Sequence, residues 1–225
     1  MKERVLSFTI LLIAFQFTAC TPSEQTELKL NSLFSDHMVL QQKEAVAFWG
    51  TYKPNKKITV RGSWGKESSC VADENGHWKL NVPTPAAGGP YEVNVITKSS
   101  TLLIKDVLIG EVWLASGQSN MEMDFDYCCN TTDFSVYERS IANYPTIRMI
   151  TVKKQLSTKP VQDFKGAWKK AVGDSITPFS ATAYFFAKRL HNELNVPIGI
   201  IHSSWGGTDA EAWTSREQLN TLDFL

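Results

Sequence analysis

Ser119 stands in the segment Ser116-Gly117-Gln118-Ser119-Asn120-Met121-Glu122-Met123, directly after the apolar run Val107 to Ala115. A hydroxyl that a buried strand delivers into a polar, glycine-flanked turn suits nucleophilic chemistry, because the scaffold stays rigid while Oγ faces a cleft. Attack on a carbonyl creates an oxyanion, which needs N–H donors close by. The segment Ser203-Ser204-Trp205-Gly206-Gly207-Thr208 follows a second short apolar run, Ile198 to Ile201, and could supply them. Glycine lets the backbone come close without a Cβ in the way, so the N–H groups of Ser119 and of Gly206 or Gly207 could converge on one oxyanion. A G-x-S-x-G elbow is absent, since Met121 stands where its second glycine would be. On spacing alone, Ser116, Ser119 and Asn120 read equally well as helix caps.

A serine nucleophile also needs a base. The four histidines, His37, His77, His191 and His202, are scattered. Only His202, at a strand end just before the glycines, lies where it could reach the same cleft, and nothing in the sequence orients it. Asp124, Asp126 and Asp209 could orient a histidine, or serve as loop carboxylates. No C-x-x-C or H-x-x-x-H spacing occurs, so no metal site is expected.

The elements that must position these residues come in two styles. From Leu28 to Ile104 the chain reads as short β-rich pieces: Ala45 to Trp49, Ile58 to Gly62, Ser69 to Ala72, Trp78 to Val82, Tyr91 to Thr97 and Leu102 to Ile104. Turn chemistry separates them at Lys53-Pro54-Asn55, Asp73-Glu74-Asn75-Gly76 and Ala87-Gly88-Gly89-Pro90. A small all-β, sandwich-like domain over 28–105 is predicted. After it, Val107 to Ala115 suits a strand buried on both faces of a parallel sheet, and Thr146 to Val152 is a second strand candidate. Apolar residues at Ala183, Phe186, Ala187, Leu190 and Leu194 have helical spacing, with Ser180 as N-cap and Pro197 just past the end. Helix, strand and Gly-rich turn make an α/β unit, in which ligands gather at the carboxyl ends of the strands. Ser119 and the Gly206-Gly207 pair are therefore expected at one end of one sheet.

Charge narrows the partners: 23 basic and 23 acidic side chains provide no global field for nucleic acid or an acidic membrane. At the N-terminus, Lys2 and Arg4 precede an apolar run from Val5 to Phe17 and then Thr18-Ala19-Cys20, the layout of an export signal. Cys20 resembles the lipidated cysteine of a bacterial lipoprotein, although Phe17 replaces the usual aliphatic residue. Residues 1–20 are read as a lipoprotein signal ending in the modified Cys20, and 21–27 as a polar tether. Cys70, Cys128 and Cys129 form no disulfide framework. A lipid-anchored location at the bacterial cell envelope, periplasmic or on the outer-membrane surface, is expected.

Together, Gly117 to Met123 and Ser204 to Trp213 resemble the first two signature segments of the sialate O-acetylesterase family, within the SGNH hydrolase superfamily. Leu33 to Gln42, Gly88-Gly89-Pro90-Tyr91 and Asp106 to Trp113 resemble that family too, in the same order. The resemblance implies a serine esterase that removes O-acetyl groups from sialic acids or other acetylated carbohydrates through a Ser119 acyl-enzyme, without a cofactor. It implies an oxyanion-hole glycine at Gly206 or Gly207, substrate contacts among Gln118, Asn120, Glu122, Trp205 and Glu211, and sugar stacking on Trp205 or Trp213. Trp113 is expected in the core. The fold implied is α/β: the β domain followed, over 106–225, by the first part of a flavodoxin-like three-layer α/β/α domain. Such enzymes carry an oxyanion-hole asparagine and an Asp-x-x-His pair later in the chain, and neither occurs in these 225 residues. An incomplete esterase is the expectation, and the alternative is a catalytically inactive, carbohydrate-binding surface lipoprotein.

Overall fold

The computed structural model describes residues 27–125 and 133–221. Cys20, the tether as far as Thr26, Asp126 and the Cys128-Cys129 pair lie outside them. The first eight elements are all strands: β1 (Lys29–Leu30), β2 (Val39–Gln41), β3 (Ala45–Thr51), β4 (Lys57–Gly62), β5 (Lys66–Val71), β6 (His77–Pro83), β7 (Gly88–Ile96) and β8 (Thr101–Gly117). Period-two patterning explains them. In β6 the buried residues are Trp78, Leu80 and Val82, alternating with exposed polar side chains. Gly88, Gly89 and Pro90 do not form a separating turn but open β7, where the register with β8 shifts between Gly88 and Tyr91.

β1, β3 and β6 form one sheet, and the other runs in the order β10 (Lys169–Val172), β9 (Asn143–Thr151), β11 (Ile198–Ser204), β8, β7, β4, β5, with β2 pairing β8 off that path. A single core joins them: Phe48 from β3, Leu80 from β6, Ile58 from β4, Val95 from β7 and Ile109 from β8 share one cluster. β8 is 17 residues long and unbroken, so position 105/106 falls inside a strand. Its first half pairs antiparallel with β7 and its second half parallel with β11.

The remaining elements are α1 (Ser119–Glu122), α2 (Asp133–Ile141), β9 (Asn143–Thr151), β10 (Lys169–Val172), α3 (Ala181–Leu194), β11 (Ile198–Ser204) and α4 (Arg216–Leu219). α3 has the bounds its spacing predicts. The Ser180 hydroxyl accepts the Ala183 N–H at 3.1 Å, and Asn195 closes the helix in the left-handed region at φ 52°. Its apolar face covers Ile147 and Met149 of β9 and Ile198 and Ile200 of β11 in a second core. The opposite face of those strands meets the β part: Ile150 and Ile201 pack into the first core, and a Cβ on Gly199 would sit 2.7 Å from Cβ of Val39.

Two expectations change here. Among the described residues α3 covers one face of β9 and β11 and the β part covers the other, whereas an α/β/α arrangement has helices on both. The parallel strands run β9-β11-β8, whereas a flavodoxin-like order would put the first strand between the next two. The apolar run Val107 to Ala115 is also not buried throughout. Trp113 is 44% exposed and Leu114 66%, because beyond Ile109 the strand β7 no longer flanks β8. Trp113 leaves the core and meets Phe186 of α3 edge to face, centroids 5.3 Å apart.

The quoted motifs before Ser119 bind one another. Gln41 and Gln42 donate to the two oxygens of Glu111 at 3.0 and 2.7 Å. Asp106 gathers His37 (2.7 Å), Arg148 (3.1 Å) and Lys170 (2.7 Å). That cluster ties the loop before β2 to β8, β9 and β10.

Candidate active site

In parallel register, β8 and β11 set Ser203 opposite Ser116 and Ser204 opposite Gly117. Both Gly-containing turns therefore leave one end of one sheet. Gly117 has φ 141°, a value L side chains rarely adopt, and this swings the chain out of β8. The Trp205 N–H donates to the Gly117 carbonyl at 3.0 Å, which fastens one turn to the other. Gln118 then accepts the N–H groups of Met121 (3.0 Å) and Glu122 (2.9 Å), closing the short turn α1 with Ser119 as its first residue.

Ser119 is exposed, and its hydroxyl has no hydrogen-bond partner among the described residues. It helps line a cavity of about 430 Å³ with Glu122, Met123, Asp124 and Gly206. A Cβ on Gly206 would lie 3.3 Å from Ser119 Oγ and 2.7 Å from Glu122 Oε2. The bare Cα keeps the space in front of the hydroxyl open. A cavity of about 480 Å³ on β3 and β6, lined by Trp49, Asp73, His77 and Trp78 among others, shares none of these residues. Size does not distinguish the two, and only the first holds an unengaged hydroxyl beside a glycine turn.

Glu122 is the most heavily bonded residue of the site. Its carboxylate accepts the Gly206 N–H and pairs with Lys154. Lys154 first, then the Gly206 N–H, holds the Glu122 carboxyl below its usual range. The Lys154 ammonium also lies 5.4 Å from the centre of the Trp205 ring. Gly207 is exposed at φ 77°, and its N–H has no acceptor among the described residues. Gln118, Asn120, Trp205 and Glu211 do not line the cavity. The Asn120 carbonyl takes the Thr182 hydroxyl at 2.8 Å, and Glu211 is exposed in the 3-10 turn Ala210–Trp213.

His202 is 5% exposed and bonds to residues other than Ser119. Nε2 lies 3.1 Å from the Met121 carbonyl and 2.6 Å from Ser204 Oγ, and Nδ1 lies 3.4 Å from Thr151 Oγ1. A carbonyl can only accept, so Nε2 carries the proton and cannot take one from Ser204 or Ser119. Burial lowers the affinity of this imidazole for a second proton. Sequence reasoning missed Lys154. The signal available was its position: it follows β9 by three residues, at the same sheet end as the two turns.

An open serine hydroxyl at the carboxyl end of a parallel strand is an arrangement suited to ester hydrolysis, and the chain is homologous to proteins named as carbohydrate acetylesterase and sialate O-acetylesterase. A carbohydrate acetylesterase from Xanthomonas citri superposes with a TM-score of 0.80 at 37% identity, covering 86% of this chain and 44% of that one. More narrowly, the relatives are sialate O-acetylesterases. Those of Mus musculus and Homo sapiens are each 32% identical over 84% of this chain, across 206 and 209 residues. The chain spans 38% and 39% of their lengths. No family model matches it.

Proposed function

We propose that the protein is a serine ester hydrolase that removes O-acetyl groups from sialic acids or other acetylated carbohydrates, with Ser119 as nucleophile. The observation carrying this reading is the open Ser119 hydroxyl beside Gly206, in a chain whose homologues are named as acetylesterases. Ser119 Oγ attacks the acetyl carbonyl, and the tetrahedral oxyanion collapses with loss of the sugar oxygen, which leaves as the alcohol. Water then attacks the acetyl-serine and releases acetate, restoring the hydroxyl. The base for these steps is a group other than His202, whose Nε2 already carries a proton. The β-rich first part acts as a seat for the catalytic part, and lipidation at Cys20 holds the protein at the envelope.

The test is hydrolysis of a chromogenic acetyl ester and of an O-acetylated sialic acid by the purified protein and its Ser119→Ala variant. A loss of three or more orders of magnitude in the variant is expected. Equal turnover by the two proteins would remove Ser119 from the mechanism, and turnover of neither ester by either protein would favour a sugar-binding role.

A further inference from the structure

The Gly206 N–H points at a carboxylate, not at open space. The group expected to polarise a substrate carbonyl is already bonded to Glu122, and that same carboxylate is paired with Lys154. Lys154 comes from the segment after β9, Glu122 from the turn after β8 and Gly206 from the turn after β11. The Glu122 carboxylate, which lines the same cavity as the Ser119 hydroxyl, thus draws together the ends of three strands that are neighbours in the sheet. A substrate oxyanion forming on the Gly206 N–H would displace a negative charge that Lys154 stabilises, which is the costlier arrangement.

We propose that Glu122 is a positioning residue: its carboxylate holds the Gly206 N–H and fixes the Trp205–Thr208 turn against Ser119. The inference rests on the acetylesterase reading for its catalytic part and on geometry alone for the contact. A side-chain oxygen is what the contact requires, so a glutamine at 122 would keep the hydrogen bond and lose the attraction to Lys154. An alanine would release the turn.

The experiment uses the purified protein labelled with ¹⁵N-glycine, in which only 13 glycines contribute amide signals. In the wild type the Gly206 amide proton lies downfield and responds to acid as the Glu122 carboxyl protonates. The other ionisable groups facing Glu122 are Lys154, His202 and Asp124, so the response is assigned by substitution. In Glu122→Gln the signal loses its acid response, and in Glu122→Ala it also moves upfield. A Gly206 amide indifferent to both substitutions overturns the contact. In parallel, hydrolysis of a chromogenic acetyl ester is expected to fall roughly 10²-fold in kcat for Glu122→Ala, with KM within a few-fold, because misplacing a reacting frame by about 1 Å costs that much. Glu122→Gln is expected to retain kcat within about tenfold on the same basis. Wild-type kcat in Glu122→Ala would overturn the positioning role. Absence of wild-type hydrolysis would sink the acetylesterase reading and the catalytic part with it, while the amide response still decides the contact.

Discussion

His202 shows how little a residue's type says before its partners are known. A histidine beside a serine at a strand end suggests a base, yet the carbonyl of Met121 fixes the proton on Nε2 and leaves only Nδ1 to accept. Its work is mechanical, pinning α1 to the end of β11. Replacing it by alanine is expected to cost about 1–3 kcal/mol, since the Met121 carbonyl loses a buried partner. Because burial depresses its pKa, the folded protein binds fewer protons than the unfolded chain just below the ordinary histidine value of about 6.5. The contribution is therefore present above that pH and is lost as pH falls through it. Urea midpoints measured from pH 8 down to pH 5 should show this decline in the wild type and less of it in His202→Gln; parallel curves would contradict the assignment. The place of Ser119, in a glycine-flanked turn at the end of an apolar run, was legible from the sequence, whereas its role was not, since the same spacing suits a helix cap. Glu122 and Lys154 were not legible as a pair, since they stand 32 positions apart in the sequence.

At the scale of elements, α3 was the most readable because its bounds depend on local signals, an N-cap serine and an αL asparagine before a proline. β10 was not anticipated, and it owes its place to pairing with β9, where the register shifts between Lys170 and Ala171. Asp106 is the joint between elements. Partial burial alone would raise its carboxyl, but the contacts from Arg148, Lys170 and His37 outweigh this and hold it well below the carboxylate range. A lowered carboxyl stabilises the fold at pH values above its ordinary value of about 4, and that contribution drains away as acid protonates it. Asp106→Asn would leave Arg148, 3% exposed, without its anion, and a loss of roughly 3 kcal/mol is expected. Thermal melts at pH 7 and pH 3 check this. The gap between variant and wild type should narrow in acid, and an unchanged gap would place the stability elsewhere.

For the whole molecule, the expected change of style near residue 105 is present as a change of partners along one strand, not as a linker. Periodicity reads each half of β8 as a strand but carries no information about continuity, because Asp106, which interrupts the apolar pattern, belongs to an ion cluster with His37, Arg148 and Lys170. The layer order was equally hidden: a buried strand gives the same apolar pattern whether a helix or a sheet covers it. The proposed envelope anchor is a property of the whole polypeptide, and its test is incorporation of a radiolabelled fatty acid in cells. Label is expected in the wild type and absent from Cys20→Ala, and equal labelling would refute lipidation at that residue. A fluorophosphonate phosphonylates an activated serine, and so probes the proposed attack of Ser119 on the acetyl carbonyl. Peptide mapping of the inactivated protein should find the phosphonyl group on Ser119, with acetyl ester hydrolysis falling in proportion. Label on Ser204 instead, or hydrolysis that persists with Ser119 modified, would contradict it.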